Sequence, residues 1–135
     1  MKKVAILVIS ILMFIQMCVP CGASDMAAPC TVEQVLSDFE INTNGLARAV
    51  YYASGDNTTE NITITITLEK RTLLLFWNDV ETWTITSNDT SCSGSVEYQL
   101  TKSGTYRCTI VYEVTSTDGT VESKEYQERI EYDPA

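Results

Sequence analysis

The side chains that could do chemistry in this chain are carboxylates and cysteines, because its 135 residues include no histidine. The lack of histidine excludes Ser-His-Asp and Cys-His catalysis and most zinc sites. Paired carboxylates can hydrolyse glycosides, and four glutamates recur near the C-terminus, at Glu122, Glu125, Glu128 and Glu131. They decorate a predicted hairpin, so we expect a solvated, charged edge that discourages aggregation rather than a catalytic cleft.

Two acidic loops offer oxygen ligands of the kind that calcium prefers. Asp56 is followed by Asn57, and Asp118 is followed by Glu122 four residues later. Neither spacing matches an EF-hand loop. We therefore assign no catalytic, cofactor-binding or metal-binding residue.

The N-terminus has the pattern of a secretory signal peptide over residues 1–23. Lys2 and Lys3 precede an apolar run at residues 4–15, and Ala23 ends a small-residue cleavage site. The apolar run is shorter than the roughly 20 residues that span a bilayer. We expect a secreted protein with no membrane span; a lipid anchor at Cys18 or Cys21 is the lesser alternative, because the residues before them match a lipobox poorly.

Export would leave an acidic chain of ordinary domain size. The net charge of the full chain is −9, and removal of two lysines makes it more negative. This acidity argues against nucleic acid and against an anionic membrane surface as partners. We expect residues 24–44 to form an N-terminal arm and residues 45–135 to form one folded domain.

Most of the remaining sequence alternates apolar and polar residues, which predicts β-strands. The central one is at 104–114, where Tyr106, Cys108, Ile110 and Tyr112 share one face. Six further strands are predicted at 46–53, 61–70, 73–77, 82–87, 95–100 and 121–132, with 73–77 buried on both sides. Seven short strands separated by turns indicate an all-β sandwich of about seven antiparallel strands.

Two local features accompany this pattern. In the arm, Thr31 and Gln34 have the spacing of a helix capping box, so residues 32–39 form either a short helix or an irregular arm. At Asp118-Gly119 a hairpin turn is predicted, with Gly119 as a bulge. This register places Tyr126, Ile130 and Tyr132 opposite Tyr112, Cys108 and Tyr106, respectively.

Gly104-x-Tyr106-x-Cys108 resembles the tyrosine corner and sixth-strand cysteine of immunoglobulin domains. The resemblance implies a structural role for Tyr106, and it places Trp77 at the core position of the third strand. The chain from about residue 46 onward also resembles small secreted modules of Gram-positive bacteria, an uncharacterised family. That resemblance implies an immunoglobulin-like β-sandwich and export, and no activity.

Three cysteines would remain after signal cleavage: Cys30, Cys92 and Cys108. In a sandwich, the last two would lie near opposite ends, some 26 Å apart, which is too far for a disulfide. Cys30 can reach Cys92 from the arm. We therefore expect a Cys30–Cys92 bridge and a buried, free Cys108, with three unpaired thiols as the alternative.

The sequence favours a secreted, non-enzymatic binding or structural module whose partner is an extracellular protein or carbohydrate. The support is the predicted architecture and the chemistry that is missing. A carboxylate-dependent extracellular hydrolase is the alternative from another class, and it requires two acids about 5–10 Å apart in a pocket. A secreted inhibitor or toxin is not distinguished from the binding module by the sequence.

Overall fold

The computed structural model describes residues 32–134, and the regular elements in this range are all β-strands. The strands are β1 (Val32–Ile41), β2 (Leu46–Gly55), β3 (Thr59–Thr72), β4 (Phe76–Ser87), β5 (Ser91–Gln99), β6 (Gly104–Ser116) and β7 (Val121–Tyr132). The predicted all-β fold of seven antiparallel strands is confirmed. None of the described residues lies in a helix that could cross a membrane. The predicted signal peptide, residues 1–23, lies outside the described range.

The strands form two sheets, one ordered β1-β2-β5 and the other ordered β4-β3-β6-β7, an arrangement that fits a β-sandwich. An immunoglobulin constant-type sandwich places its fourth strand beside the fifth. Here β4 instead pairs with β3 along its whole length. This pairing produces a long β3–β4 hairpin along one edge of the four-stranded sheet.

The core lies between the two sheets and follows the period-two pattern of β3 and β6. Ile62, Ile64 and Ile66 on β3 are completely buried, and so are Ile110 and Tyr112 on β6. The opposing strand β2 contributes small buried alanines at positions 47, 49 and 53. Large side chains from one sheet can therefore fill the space left by small ones on the other, as close packing requires.

The prediction of a short helix at residues 32–39 is wrong, and so is the irregular arm. Val32–Ile41 is strand β1, which pairs antiparallel with β2. An isolated turn of helix is marginal in water, whereas pairing satisfies the backbone groups of β2 that would otherwise be unbonded. Phe39 is buried, and the Tyr112 hydroxyl on β6 donates to the Leu36 carbonyl at 2.9 Å. These contacts attach β1 to the core.

The turn between β6 and β7 has the predicted bulge at Gly119, where φ is +88°. The loop has three residues, since the Ser116 amide donates to the Thr120 carbonyl and the Gly119 amide donates to the Ser116 carbonyl. Tyr126 consequently lies opposite Ile110, and Ile130 lies opposite Tyr106. The predicted partners were wrong by two residues, which leaves each side chain on the predicted face.

Each sheet has two edge strands, which are paired on one side only, and the edge strands differ in charge. Strand β7 carries charged side chains on both faces, including Lys124, Glu125 and Arg129. Residues 91–96 of β5 carry no charge and no proline. A Cβ atom at Gly94 of β5 would lie only 2.6 Å from the Tyr51 hydroxyl, so glycine at this position leaves room for the tyrosine.

Candidate functional site

Tyr106 joins the start of β6 to the loop before it. Its ring is buried, and its hydroxyl donates a hydrogen bond to the Lys102 carbonyl at 2.7 Å. Burial raises the pKa of this hydroxyl above its usual value. Its role is therefore structural: it fixes the loop before β6 at the end of the sandwich that also holds the turn between β3 and β4.

The two described cysteines, Cys92 and Cys108, form no disulfide with each other, and they lie in different environments. Cys108 lies in the core, where burial, with a smaller contribution from Glu128, raises its pKa to about 12. Such a thiol is a poor nucleophile, because only the thiolate reacts. Cys92 is partly exposed on β5. Cys30 lies outside the described residues, so the Cys30–Cys92 bridge stays a prediction.

The acidic loops use their carboxylates within the loops themselves. Asp56 accepts a hydrogen bond from the Thr58 amide at 2.8 Å. Asp118 accepts hydrogen bonds from the Ser116 hydroxyl and from Thr120, and these bonds lower the pKa of its carboxyl to about 2. In residues 32–134, no group of three acidic or cysteine side chains is placed to hold a metal ion.

A narrow apolar cleft lies between the two sheets. Its lining includes Phe39, Leu68, Trp83 and Cys108, and none of its lining residues carries a carboxylate. The pair of acids that a glycoside hydrolase requires is therefore not found in this cleft.

A β-bulge in β4 decides where Trp77 points. Val80 and Glu81 together lie opposite Leu68 of β3, so β4 holds one extra residue at this point. Trp83, beyond the bulge, lies opposite the buried Ile66, whereas Trp77 lies opposite Arg71 on the outer face. The placement of Trp77 in the core of a third strand was therefore wrong, because the bulge reverses the alternation of the strand.

Trp77 is the centre of an arginine cluster on the outer face of the four-stranded sheet. The guanidinium carbon of Arg107 lies 4.2 Å from the centre of its ring, that of Arg129 5.2 Å and that of Arg71 5.9 Å. These are cation–π distances, and the cations come from three neighbouring strands. We call these four residues the Trp–Arg cluster.

Within the Trp–Arg cluster, only Arg107 has a carboxylate partner among residues 32–134. Its Nη2 lies 2.7 Å from Glu69 Oε1, and its Nε donates to the same oxygen at 2.9 Å. Both side chains are mostly buried. Arg71 and Arg129 therefore keep guanidinium donors available, and these match carboxylate and phosphate oxygens well.

The turn of the β3–β4 hairpin is an exposed apolar apex. Leu73 is 83% exposed, Leu74 and Leu75 are each 80% exposed, and Phe76 is 60% exposed. We call residues 73–76 the tip. The predicted strand at 73–77, buried on both sides, is therefore wrong: residues 73–75 form the turn, and Thr72 pairs with Phe76 across it.

The backbone of the tip has a conformation that leucine disfavours. Leu73 has a φ of +50° and Leu74 has a φ of +69°. Asn-Gly is the usual sequence at such positions, because the left-handed region costs an L-residue with a Cβ about 1–2 kcal/mol. The tip is thus an apolar, strained apex with the Trp–Arg cluster directly behind it, and no sequence motif marks this combination.

Comparison with protein-family models, with curated proteins and with solved structures finds no match to this chain.

Proposed function

We propose that this chain is an exported, non-enzymatic binding module that contacts its target with the tip and the adjacent Trp–Arg cluster. The observation that carries the proposal is four successive apolar residues, each 60–83% exposed, at the apex of a hairpin. Contiguous exposed apolar surface on a protein of this size is characteristic of an interaction site.

The strained backbone supports the same assignment. Leucines at 73 and 74 bury little surface in the chain itself, and their positive φ angles destabilise the fold. Strain of this kind concentrates at functional sites. A target that covers the leucines supplies the favourable contact that the isolated chain lacks.

The positions of the C-terminal glutamates support binding rather than hydrolysis. Glu122 and Glu128 share one face of β7, and Glu125 and Glu131 share the other. Glutamates on the same face are six residues apart, about 20 Å along the strand. Catalytic carboxylate pairs lie about 5–10 Å apart, so these four residues do not form one along β7.

The proposal also covers the location of the protein and the kind of module that it resembles. The signal sequence at residues 1–23 and the resemblance to small secreted immunoglobulin-like modules of Gram-positive bacteria favour an extracellular location. Of the two partner classes expected from the sequence, the tip does not favour a carbohydrate, because leucine side chains offer no hydrogen-bonding groups to a sugar. An apolar target surface suits it better.

Site-specific photo-cross-linking tests this proposal. A benzophenone amino acid is placed at Leu74, and in separate chains at two exposed control positions, Thr84 on the outer face of β4 and Thr117 at the opposite end. Each chain is expressed in cells that export it and is then irradiated. We expect an adduct from position 74 that is stronger than the adducts from the two control positions. If the target is a protein, an excess of unlabelled wild-type chain suppresses this adduct. Equal adducts at all three positions, or none at 74, would contradict the proposal.

A further inference from the structure

We infer that the target of this surface is a lipid bilayer: the tip inserts among the acyl chains, and the Trp–Arg cluster lies at the level of the phosphates. This inference rests on the proposed function and specifies its partner. It does not concern the predicted signal peptide, which the exported chain lacks.

The order of residues along the hairpin matches the layers of a bilayer surface. Leu73, Leu74 and Leu75 form the apex, Phe76 follows, and Arg71 pairs with Trp77 one position further back. Arg71 and Trp77 are each three residues from Leu74, the middle residue of the apex, which is a distance of at most about 10 Å. Interfacial segments bury their apolar face about 5–10 Å deep, and tryptophan concentrates at the interface above the acyl chains.

The size of the tip suits shallow insertion better than a protein interface. Its three leucines and one phenylalanine carry roughly 19 side-chain carbons, compared with about 14 in a myristoyl chain, which alone gives an association constant near 10⁴ M⁻¹. A protein interface of standard size buries about 800 Å² of each partner, which is more than these four side chains provide. A bilayer has no such requirement for shape or extent.

The arginines supply the polar part of the contact. Arg71 and Arg129 form no ion pair within residues 32–134, and a guanidinium binds phosphate oxygens through parallel N–H donors. The full chain has a net charge of −9, and the exported chain is more acidic because it lacks Lys2 and Lys3. This charge opposes approach to an anionic surface. At physiological ionic strength the Debye length is about 8 Å, so the arginines near the headgroups act while most of the acidic residues along the sandwich are screened.

Flotation with liposomes tests the inference directly. The exported chain is mixed with vesicles of phosphatidylcholine and phosphatidylglycerol (7:3) in 0.15 M salt, and the bound fraction is measured against lipid concentration. From the comparison with a myristoyl chain, we expect more than half of the chain to float at about 1 mM lipid. A bound fraction below half at this concentration would overturn the inference.

The decisive variant replaces the two strained leucines, as Leu73→Asn with Leu74→Gly. These residues suit the backbone of the turn, so loss of binding cannot be attributed to misfolding when the melting temperature does not fall. We expect the association constant to fall more than about 100-fold. The matched control is Val121→Ser, which removes another exposed apolar side chain at the far end of the sandwich and should change binding less than twofold. Equal effects of the two changes would refute insertion by the tip.

A second variant tests the arginines. Arg71→Gln with Arg129→Gln leaves the tip intact, and we expect a five- to tenfold weaker association with the same vesicles. We expect a smaller change with uncharged vesicles that display a sugar headgroup and no phosphate. An equal change with both kinds of vesicle would contradict the phosphate contact.

The cross-linking experiment separates the two levels of the proposal. A lipid adduct from position 74, together with flotation, supports both. A competable protein adduct from position 74 without flotation leaves the proposed binding module standing and overturns the bilayer as its target. No competable adduct and no flotation overturn both.

Discussion

Replacing Leu73 by Asn and Leu74 by Gly should stabilise this protein although it removes two large apolar side chains. The two leucines are 83% and 80% exposed, so their removal forfeits little burial. Both have positive φ angles, which cost an L-residue with a Cβ about 1–2 kcal/mol each. Glycine relieves that cost fully, and asparagine relieves it in part.

The expected gain follows from these terms. Relief of strain at two positions stabilises the fold by about 2–4 kcal/mol. The greater freedom of glycine in the unfolded chain lowers this gain by about 0.5–1 kcal/mol. We expect a net increase of about 1–3 kcal/mol in the free energy of unfolding. For a domain of this size that corresponds to a rise of about 4–12 °C in melting temperature.

Thermal and urea unfolding of the variant and the wild type measure this difference. Leu75→Asn is the matched control, because Leu75 is equally exposed but is not among the residues with positive φ; it should change the unfolding free energy by less than about 0.5 kcal/mol. A double variant that is no more stable than the wild type would show that the turn is not strained. The explanation of the tip as a functional compromise would then fail.

Three further results are expected. In urea unfolding, Gly45→Ala should destabilise the fold by about 2–4 kcal/mol and Gly119→Ala by only about 1 kcal/mol. Both glycines have a positive φ, but only a Cβ at position 45 would clash with neighbouring atoms. Equal losses of stability would contradict the clash. Tyr106→Phe should cost about 0.5–1.5 kcal/mol through its lost hydrogen bond, and an unchanged urea midpoint would remove that role. At pH 8, iodoacetamide should leave Cys108 of the native chain unmodified, because burial holds the pKa of this thiol near 12. Mass spectrometry that finds Cys108 modified in the native chain as fast as in the urea-unfolded chain would refute its burial.

The strands with strict alternation could be predicted from the sequence because one face of each is buried. Between residues 62 and 68 every second side chain is apolar, and these side chains are buried. The same holds for Tyr106 through Val114 on β6. Where burial on one face dominates the energy, a period of two in the sequence is enough to place the strand.

The sequence was misleading at the tip and at β1 because local pattern and tertiary context disagree there. An apolar run from Leu73 to Trp77 normally indicates burial, and only the structure shows that three of these residues form a turn and that a bulge rotates Trp77 outward. At β1, the helix-capping spacing is a weak local preference, which pairing with β2 overrides. The predicted count of seven strands was right because these two errors cancel: one missed strand and one counted twice.

The Trp–Arg cluster could not be predicted by inspection. Its arginines, Arg71, Arg107 and Arg129, are separated by 36 and 22 positions in the sequence, and each comes from a different strand. The cluster depends on the register of three strand pairs and on the bulge at Val80. A signal was present in retrospect: all three arginines fall at odd-numbered positions, and these are the positions that face outward on β3, β6 and β7.

The unequal edges of the two sheets bear on how the chain behaves when it is concentrated. At β7, an incoming strand from a second molecule would have to accommodate charges on both faces, which disfavours continuous sheet growth. The first six residues of β5 present an uncharged row of backbone donors and acceptors instead. Slow fibril formation in a concentrated stock would therefore begin at β5, and a lysine in place of Ser93 would extend the shelf life of the purified protein.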